Sequence, residues 1–168
     1  MELNLKRPIV FLDLETTGTN VGADRIVEIG LLKIFPNGSK DSRTYKVNPT
    51  IPIPEETSKI HGIYDKDVKD APTFKDLSAE LNTFLGGSDL GGYNSNKFDI
   101  PLLIEAFTRC NIDFDILTRK LIDVQNIFHK MEQRTLAAAY KFYCNKDLTN
   151  AHSAEADTLA TYEVMLSQ

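Results

Sequence analysis

The hydrophobic positions of this chain fall in short extended runs near the N-terminus and in helical spacing further on. Ile9-Val10-Phe11-Leu12 is a compact β-branched and aromatic run, which predicts a buried strand. Asp13 and Glu15 interrupt this apolar run two positions apart, and Thr16-Thr17-Gly18 ends the strand in a turn rich in small donors. Side chains at i and i+2 leave extended backbone on the same face, which points both carboxylates to one place. Val27, Ile29, Leu31 and Ile34 predict a second strand over 26–35. Pro36-Asn37-Gly38 is a turn, and 42–47 returns as a third strand to give a hairpin.

Residues 48–56 are proline-rich and irregular, with single helical turns expected at 58–63, stopped by Gly62, and at 65–68. Phe74, Leu77, Leu81, Phe84 and Leu85 form one stripe, predicting an amphipathic helix over 73–85 that Gly86-Gly87 stops. A fourth strand over 89–93, a helix over 98–110 and a fifth strand over 120–122 follow. Asp123 then opens a helix to about Lys130, and two more helices are expected over 134–142 and 154–166. A hairpin followed by alternating strands and helices implies an α/β fold, a mixed five-stranded sheet covered by helices. We expect a single domain over 1–168.

Composition changes this picture little. No stretch approaches the roughly 18 consecutive apolar residues that a membrane span needs, so no membrane association is expected. Lys6 and Arg7 precede an apolar run, but Asp13 cuts it short and no small-residue cleavage site follows, which reads as a first strand and not a signal peptide. Cys110 and Cys144 lie far apart without a metal-binding spacing, favouring buried thiols in a reducing cytoplasm. A formal charge of −5 excludes a basic nucleic-acid coat. It leaves a nucleic-acid substrate open, because acids gathered around a cation add to the same negative total.

The chemistry lies in the acids. No Lys or Arg stands between Leu12 and Asp24 to neutralise Asp13 and Glu15, and hard Mg²⁺ or Mn²⁺ takes carboxylate oxygen. Taken alone, a solvated acidic turn explains the pair equally well. Asp99 reads either as a helix-start acid or as a carboxylate at a strand end, where ligands of such sheets collect. Asp157 shares a helix face with Ala160, Thr161 and Val164, the face expected to pack against the sheet, whereas Glu155 and Glu163 lie where solvated acids belong. An acid on a packed face takes a base or a metal as partner, and no basic residue on that helix offers itself. His152 is five residues before Asp157, about 140° around an ideal helix, so it belongs on the preceding loop or cap. His61, between Ile60 and Ile63, is a candidate substrate contact. Asp24, Asp65, Asp67, Asp70 and Asp76 read as turn or helix-start residues, and Asp123 as a helix cap with a secondary role behind the site. Lys97, Arg109, Arg134 and Lys141 read as solvated surface.

Asp13-x-Glu15 in FLDLETTG, Asp99 in FDIPLL and His152-x₄-Asp157 in AHSAEADTLAT resemble the three motifs of the DEDDh 3′–5′ exonucleases. Within them the likeness is to the proofreading epsilon-subunit type of bacterial DNA polymerase III. It covers nearly the whole chain, Lys59-Ile60-His61-Gly62-Ile63 included. Ser153 stands where the tyrosine subgroup carries its tyrosine, so the histidine subgroup fits. One departure is local: Asn94 and Asn96 fall five and three residues before Asp99, where the family commonly has Asn four before. The resemblance implies a ribonuclease-H-like fold and release of nucleoside 5′-monophosphates from a free 3′ end, of DNA in proofreading or repair, or alternatively of RNA. A non-catalytic nucleic-acid-binding module is the remaining alternative. It further implies Asp13, Glu15, Asp99 and Asp157 as ligands of two divalent ions, Mg²⁺ or Mn²⁺, and His152 as the base. Leu14, Thr16, Thr17, His61 and Phe98 would touch the strand, single-stranded DNA being the expected substrate and a DNA polymerase subunit a candidate partner. The chain ends at Gln168, close to the end of the last expected helix. Action alone, a partner seated on the globular surface and a longer parent chain all stay open.

Overall fold

The computed structural model describes residues 3–132 and 134–168. Contacts divide the chain into two compact units, Met1–Gln125 and Asn126–Gln168.

The first unit is built on a five-stranded sheet of order β3-β2-β1-β4-β5. β1 (Ile9–Thr16), β2 (Ile26–Ile34) and β3 (Lys40–Lys46) form an antiparallel meander; β4 (Asp89–Gly92) and β5 (Leu121–Asp123) add in parallel on the other side of β1. The mixed sheet is therefore the one expected, and β1 runs past Asp13 and Glu15 to end at Thr16, where the Thr16-Thr17-Gly18 turn is expected. Its ladder to β2 continues through Leu14↔Ile29 and Glu15↔Glu28 before shifting register at Thr16. The reason lies in the two faces. Leu12, Leu14 and Thr16 stay buried on one side, so the acids only need the opposite face to be open.

Two helices cover the Leu12–Leu14 face. α1 (Glu55–His61) and α2 (Asp65–Val68) come first in the chain, then α3 (Phe74–Leu85) and α4 (Asp99–Arg109). Leu81 and Leu85 of α3 and Leu102, Leu103 and Phe107 of α4 join Val10, Leu12, Leu14 and Leu90 in the main core. Each such leucine contributes about 1.5–3 kcal/mol on burial. A smaller cluster of Val27, Ile53, Ile63 and Val68 ties α1 and α2 to β2. Gly62 closes α1 in the left-handed region at φ 77°, its N–H donating to Ser58 O.

α5 spans Val124–Met131. In the second unit α6 (Leu136–Cys144) starts two residues later than its pattern implied, because Thr135 Oγ1 accepts Ala138 N–H and sets the cap there. α7 (Ala154–Ser167) buries Ala160 and Val164 with Tyr140 of α6, while Thr161 is exposed. Glu163 is not a free solvated acid: it accepts from Tyr140 Oη at 2.7 Å and Lys146 Nζ at 2.8 Å. Both cysteine thiols are free and only half-buried, against the expectation of buried ones. Among the described residues no helix is long and apolar enough to cross a membrane.

Candidate active site

β1 outruns its parallel neighbour. It pairs with β4 over Ile9–Phe11, so among the described residues the β4-side edge beyond Phe11 has no strand partner. The first turn of α4 fills part of that gap: Asp99, buried, accepts Leu14 N–H through Oδ1 at 3.1 Å. Asp13 is exposed and Glu15 half-buried on the opposite face of β1 from Leu12 and Leu14. Three carboxylates from two elements thus become electrostatic neighbours, although 84 residues separate Glu15 from Asp99 in sequence.

Their ionisation reports the crowding. Burial pushes Asp99 up to about 6; the Leu14 N–H bond resists this, while Asp13 and Glu15 add to it. Burial also raises Glu15, as does Asp13, with His61 pulling the other way and Glu28, its cross-strand partner, pushing up again. None of the three acids forms an ion pair with Lys or Arg among the described residues. A group of hard oxygen donors carrying unrelieved charge fits a divalent cation by chemistry. Among the described residues no three His, Cys, Asp or Glu side chains are grouped closely enough to enclose an ion as they stand. The fit is one of donor type and charge.

The other expected residues have defined surroundings. His61 is held at both ring nitrogens: Nδ1 accepts Ile63 N–H at 3.0 Å, which assigns the proton to Nε2 for donation to Thr16 O at 3.2 Å. Thr16 and Thr17 are buried, and their hydroxyls build the following loop. Thr16 Oγ1 donates to Gly18 O; Thr17 Oγ1 donates to Asp24 Oδ1 and accepts Arg25 N–H. Leu14 is buried, so it offers backbone and not side chain. Phe98, the N-cap position of α4, is half-buried against the main core.

In the second unit His152 lies on the turn before α7, exposed, with φ 75°. Asp157, in the first turn of α7, is half-buried, and its Oδ1 is buried with no hydrogen-bond partner among the described residues. The α7 face it was expected to share with Ala160 and Val164 is packed, against Tyr140 of α6.

Arg109 had more to do than its pattern implied, while Asp123 makes the helix-cap bond expected of it, from Gln125 N–H. Arg109 is not solvated surface: its guanidinium binds the carbonyls of Val21, Gly22 and Asp24 and pairs with Glu105 at 3.2 Å, bracing the loop after β1. Asp123 is buried and accepts the N–H groups of Asn94, Asn96 and Gln125. The short strand before it and the asparagine-rich loop were the available signals. A cavity of about 320 Å³ opens between Arg25, Asn48, Phe74, Leu102 and Arg109, and none of the three carboxylates lines it.

The RNase_T family model, described as an exonuclease, matches residues 10–165. This chain belongs to that exonuclease family. It is similar to DNA polymerase III subunit epsilon of Buchnera aphidicola subsp. Schizaphis graminum, 34% identical over 154 residues, 88% of this chain and 61% of the relative. It also resembles a Staphylococcus haemolyticus 3′-5′ exonuclease DinG, 29% identical over 164 residues, 92% of this chain and 17% of that one. The chain therefore spans less than two thirds of the length of these curated relatives. Among solved structures, E. coli exonuclease I in complex with a dT13 oligonucleotide superimposes with TM-score 0.68 at 17% identity, over 96% of this chain and 40% of that one. An ExoI/SSB-Ct complex gives 0.69 at 15% identity, over 98% and 42%. These likenesses define the fold as ribonuclease-H-like.

Proposed function

We propose that this protein is a metal-dependent 3′–5′ exonuclease that removes nucleoside 5′-monophosphates from single-stranded DNA, in proofreading or repair. The observation that carries the reading is the buried Asp99 carboxyl beside Asp13 and Glu15, pushed up to about 6 with no ion pair to Lys or Arg among the described residues, in a chain of an exonuclease family. Asp13, Glu15 and Asp99 would hold divalent Mg²⁺ or Mn²⁺, two ions in all; Asp157 remains a candidate ligand on the strength of its motif and its unpartnered Oδ1. Such ions make water a better nucleophile at neutral pH and stabilise charge on phosphoryl oxygens. His152 takes the proton of the attacking water, a transfer suited to an imidazole near neutral pH. As the water oxygen bonds to phosphorus, the P–O3′ bond breaks; the 5′-phosphate leaves with the released nucleotide, and the departing O3′ takes up a proton from solvent to become the 3′-hydroxyl of the shortened strand. Because the hydroxyls of Thr16 and Thr17 and both His61 nitrogens are engaged, the strand end meets the Leu14–Thr17 backbone and the ring faces of His61 and Phe98.

The solved neighbour bound to dT13 supports a nucleic-acid strand as substrate, and the epsilon relative supports a polymerase as partner. The test uses 5′-labelled DNA and RNA of one sequence with Mg²⁺, Mn²⁺ or chelator. The expected result is a metal-dependent ladder from the 3′ end, faster on DNA and absent for Asp13→Ala. Faster loss of RNA would transfer the substrate to RNA, and strand binding without shortening would leave a binding module.

A further inference from the structure

The loop that delivers Asp99 is held from behind by another acid. β4 ends at Gly92, whose register partner on β5 is Asp123. The chain then turns back at Asn94, in the left-handed region at φ 58°, and aims two of its N–H groups at that carboxylate. Asn94 N–H donates to Oδ1 at 3.0 Å and Asn96 N–H to Oδ2 at 3.2 Å. Oδ1 also takes Gln125 N–H at 3.0 Å, so the carboxylate is itself locked by the start of the next helix. Between the two asparagines Ser95 is fully buried. It fits only because Gly92 lacks a side chain, since a Cβ there would lie 2.6 Å from Ser95 Cβ and 2.9 Å from Leu12 O. Ser95 O then accepts Ile100 N–H at 2.9 Å, fastening the first turn of α4 next to Asp99.

We propose that Asp123 is a positioning residue for the reaction: by collecting the amides of Asn94 and Asn96 it sets the loop that places the Asp99 carboxylate against Leu14 N–H at the open end of β1. The physical reason is leverage. Asp99 sits one residue inside α4, and three consecutive links (Asp123 to the asparagine amides, Ser95 O to Ile100, Asp99 to Leu14) span the gap between β5 and β1. A carboxylate is the right anchor because it accepts several N–H groups at once, and charge-assisted bonds are the stronger ones. Supporting groups of this kind typically change activity by about 10- to 100-fold when lost. The inference rests on the reading of Asp99 as a member of the cutting site.

The experiment compares the parent with Asp123→Asn and Asp123→Ala by strand-shortening kinetics and by amide hydrogen exchange. Exchange at Leu14 reports whether Asp99 still accepts its N–H, independently of any activity. Exchange at Val10, in the buried ladder of β1, reports the fold. We expect both variants to lose protection at Asn94, Asn96 and Leu14 while Val10 stays protected. In the same proteins kcat falls about 10- to 100-fold with KM for the strand near the parent value, and Asn retains more than Ala. Parental protection at Leu14 with parental kcat would overturn the proposal. Loss of Val10 protection in both variants would overturn it too, since Asp123 would then hold the sheet and not the loop. If the parent shortens no strand at all, the reading of function fails, while the exchange at Leu14 still decides the positioning.

Discussion

The end of β1 gathers acidic side chains and the start of α3 carries one, Asp76, and the two places treat them in opposite ways. At α3, Asp76 accepts Thr73 N–H at 2.8 Å and Thr73 Oγ1 at 2.7 Å, closing a capping box, and those bonds hold its carboxyl below the usual range. At β1, Asp99 has the single long-range bond from Leu14, while burial and two neighbouring carboxylates push it up. The first acid is satisfied by the chain itself. The second is left wanting a proton or a cation. That contrast separates satisfied acids from crowded ones better than exposure does, because Asp123 is as buried as Asp99 yet surrounded by amides.

The contrast breaks most completely if Asp13→Ala still shortens strands. We expect no detectable turnover, checked on the labelled-strand ladder. His152→Ala should slow saturated turnover by about 10²–10⁴-fold, because proton transfer is lost while the acids remain. Near-parental turnover would remove His152 from the reaction.

Stability against pH sharpens the comparison. Asp99 in the folded chain binds its proton up to about 6, against 3.8 for an ordinary aspartate. Between these values the native state holds more protons than the unfolded one, so stability falls as pH rises from about 4 to about 6 and does not recover above. At about 1.4 kcal/mol per unit the loss is at most about 3 kcal/mol. Glu15, also raised, acts in the same sense. In chelator-treated protein, Asp99→Asn should therefore raise the urea midpoint at pH 8 and leave it nearly unchanged at pH 3.5. Equal effects at both pH values would show that packing, not charge, governs the site. Adding Mn²⁺ should stabilise the parent, by about 2.7 kcal/mol at a hundred times its dissociation constant, and stabilise Asp99→Asn less; thermal melts decide it. The smallest change belongs to the satisfied region. Thr73→Ala should cost about 1 kcal/mol through the lost cap and leave shortening kinetics alone.

Much of this was legible beforehand. The i, i+2 spacing placed Asp13 and Glu15 on one face, and α2, α3 and α4 fell within a residue of their patterns. The turn position of His152 followed from helical angles. The end of β1 at Thr16 also agrees with the Thr16-Thr17-Gly18 turn; what misled was a local reading of charge at Arg109. Arg109 looked like surface because its partners, the carbonyls of Val21, Gly22 and Asp24, lie more than 80 residues away.

The sequence by itself determined the elements, the faces they bury and the residue types that carry the chemistry, since periodicity and caps act over a few residues. Only the tertiary structure decided which acid is crowded and which is satisfied. Asp99 meets Leu14 across 85 residues, and Asp123 meets Asn94 across 29. Such bonds depend on which strands lie side by side and where one outruns the next, and no local pattern records that.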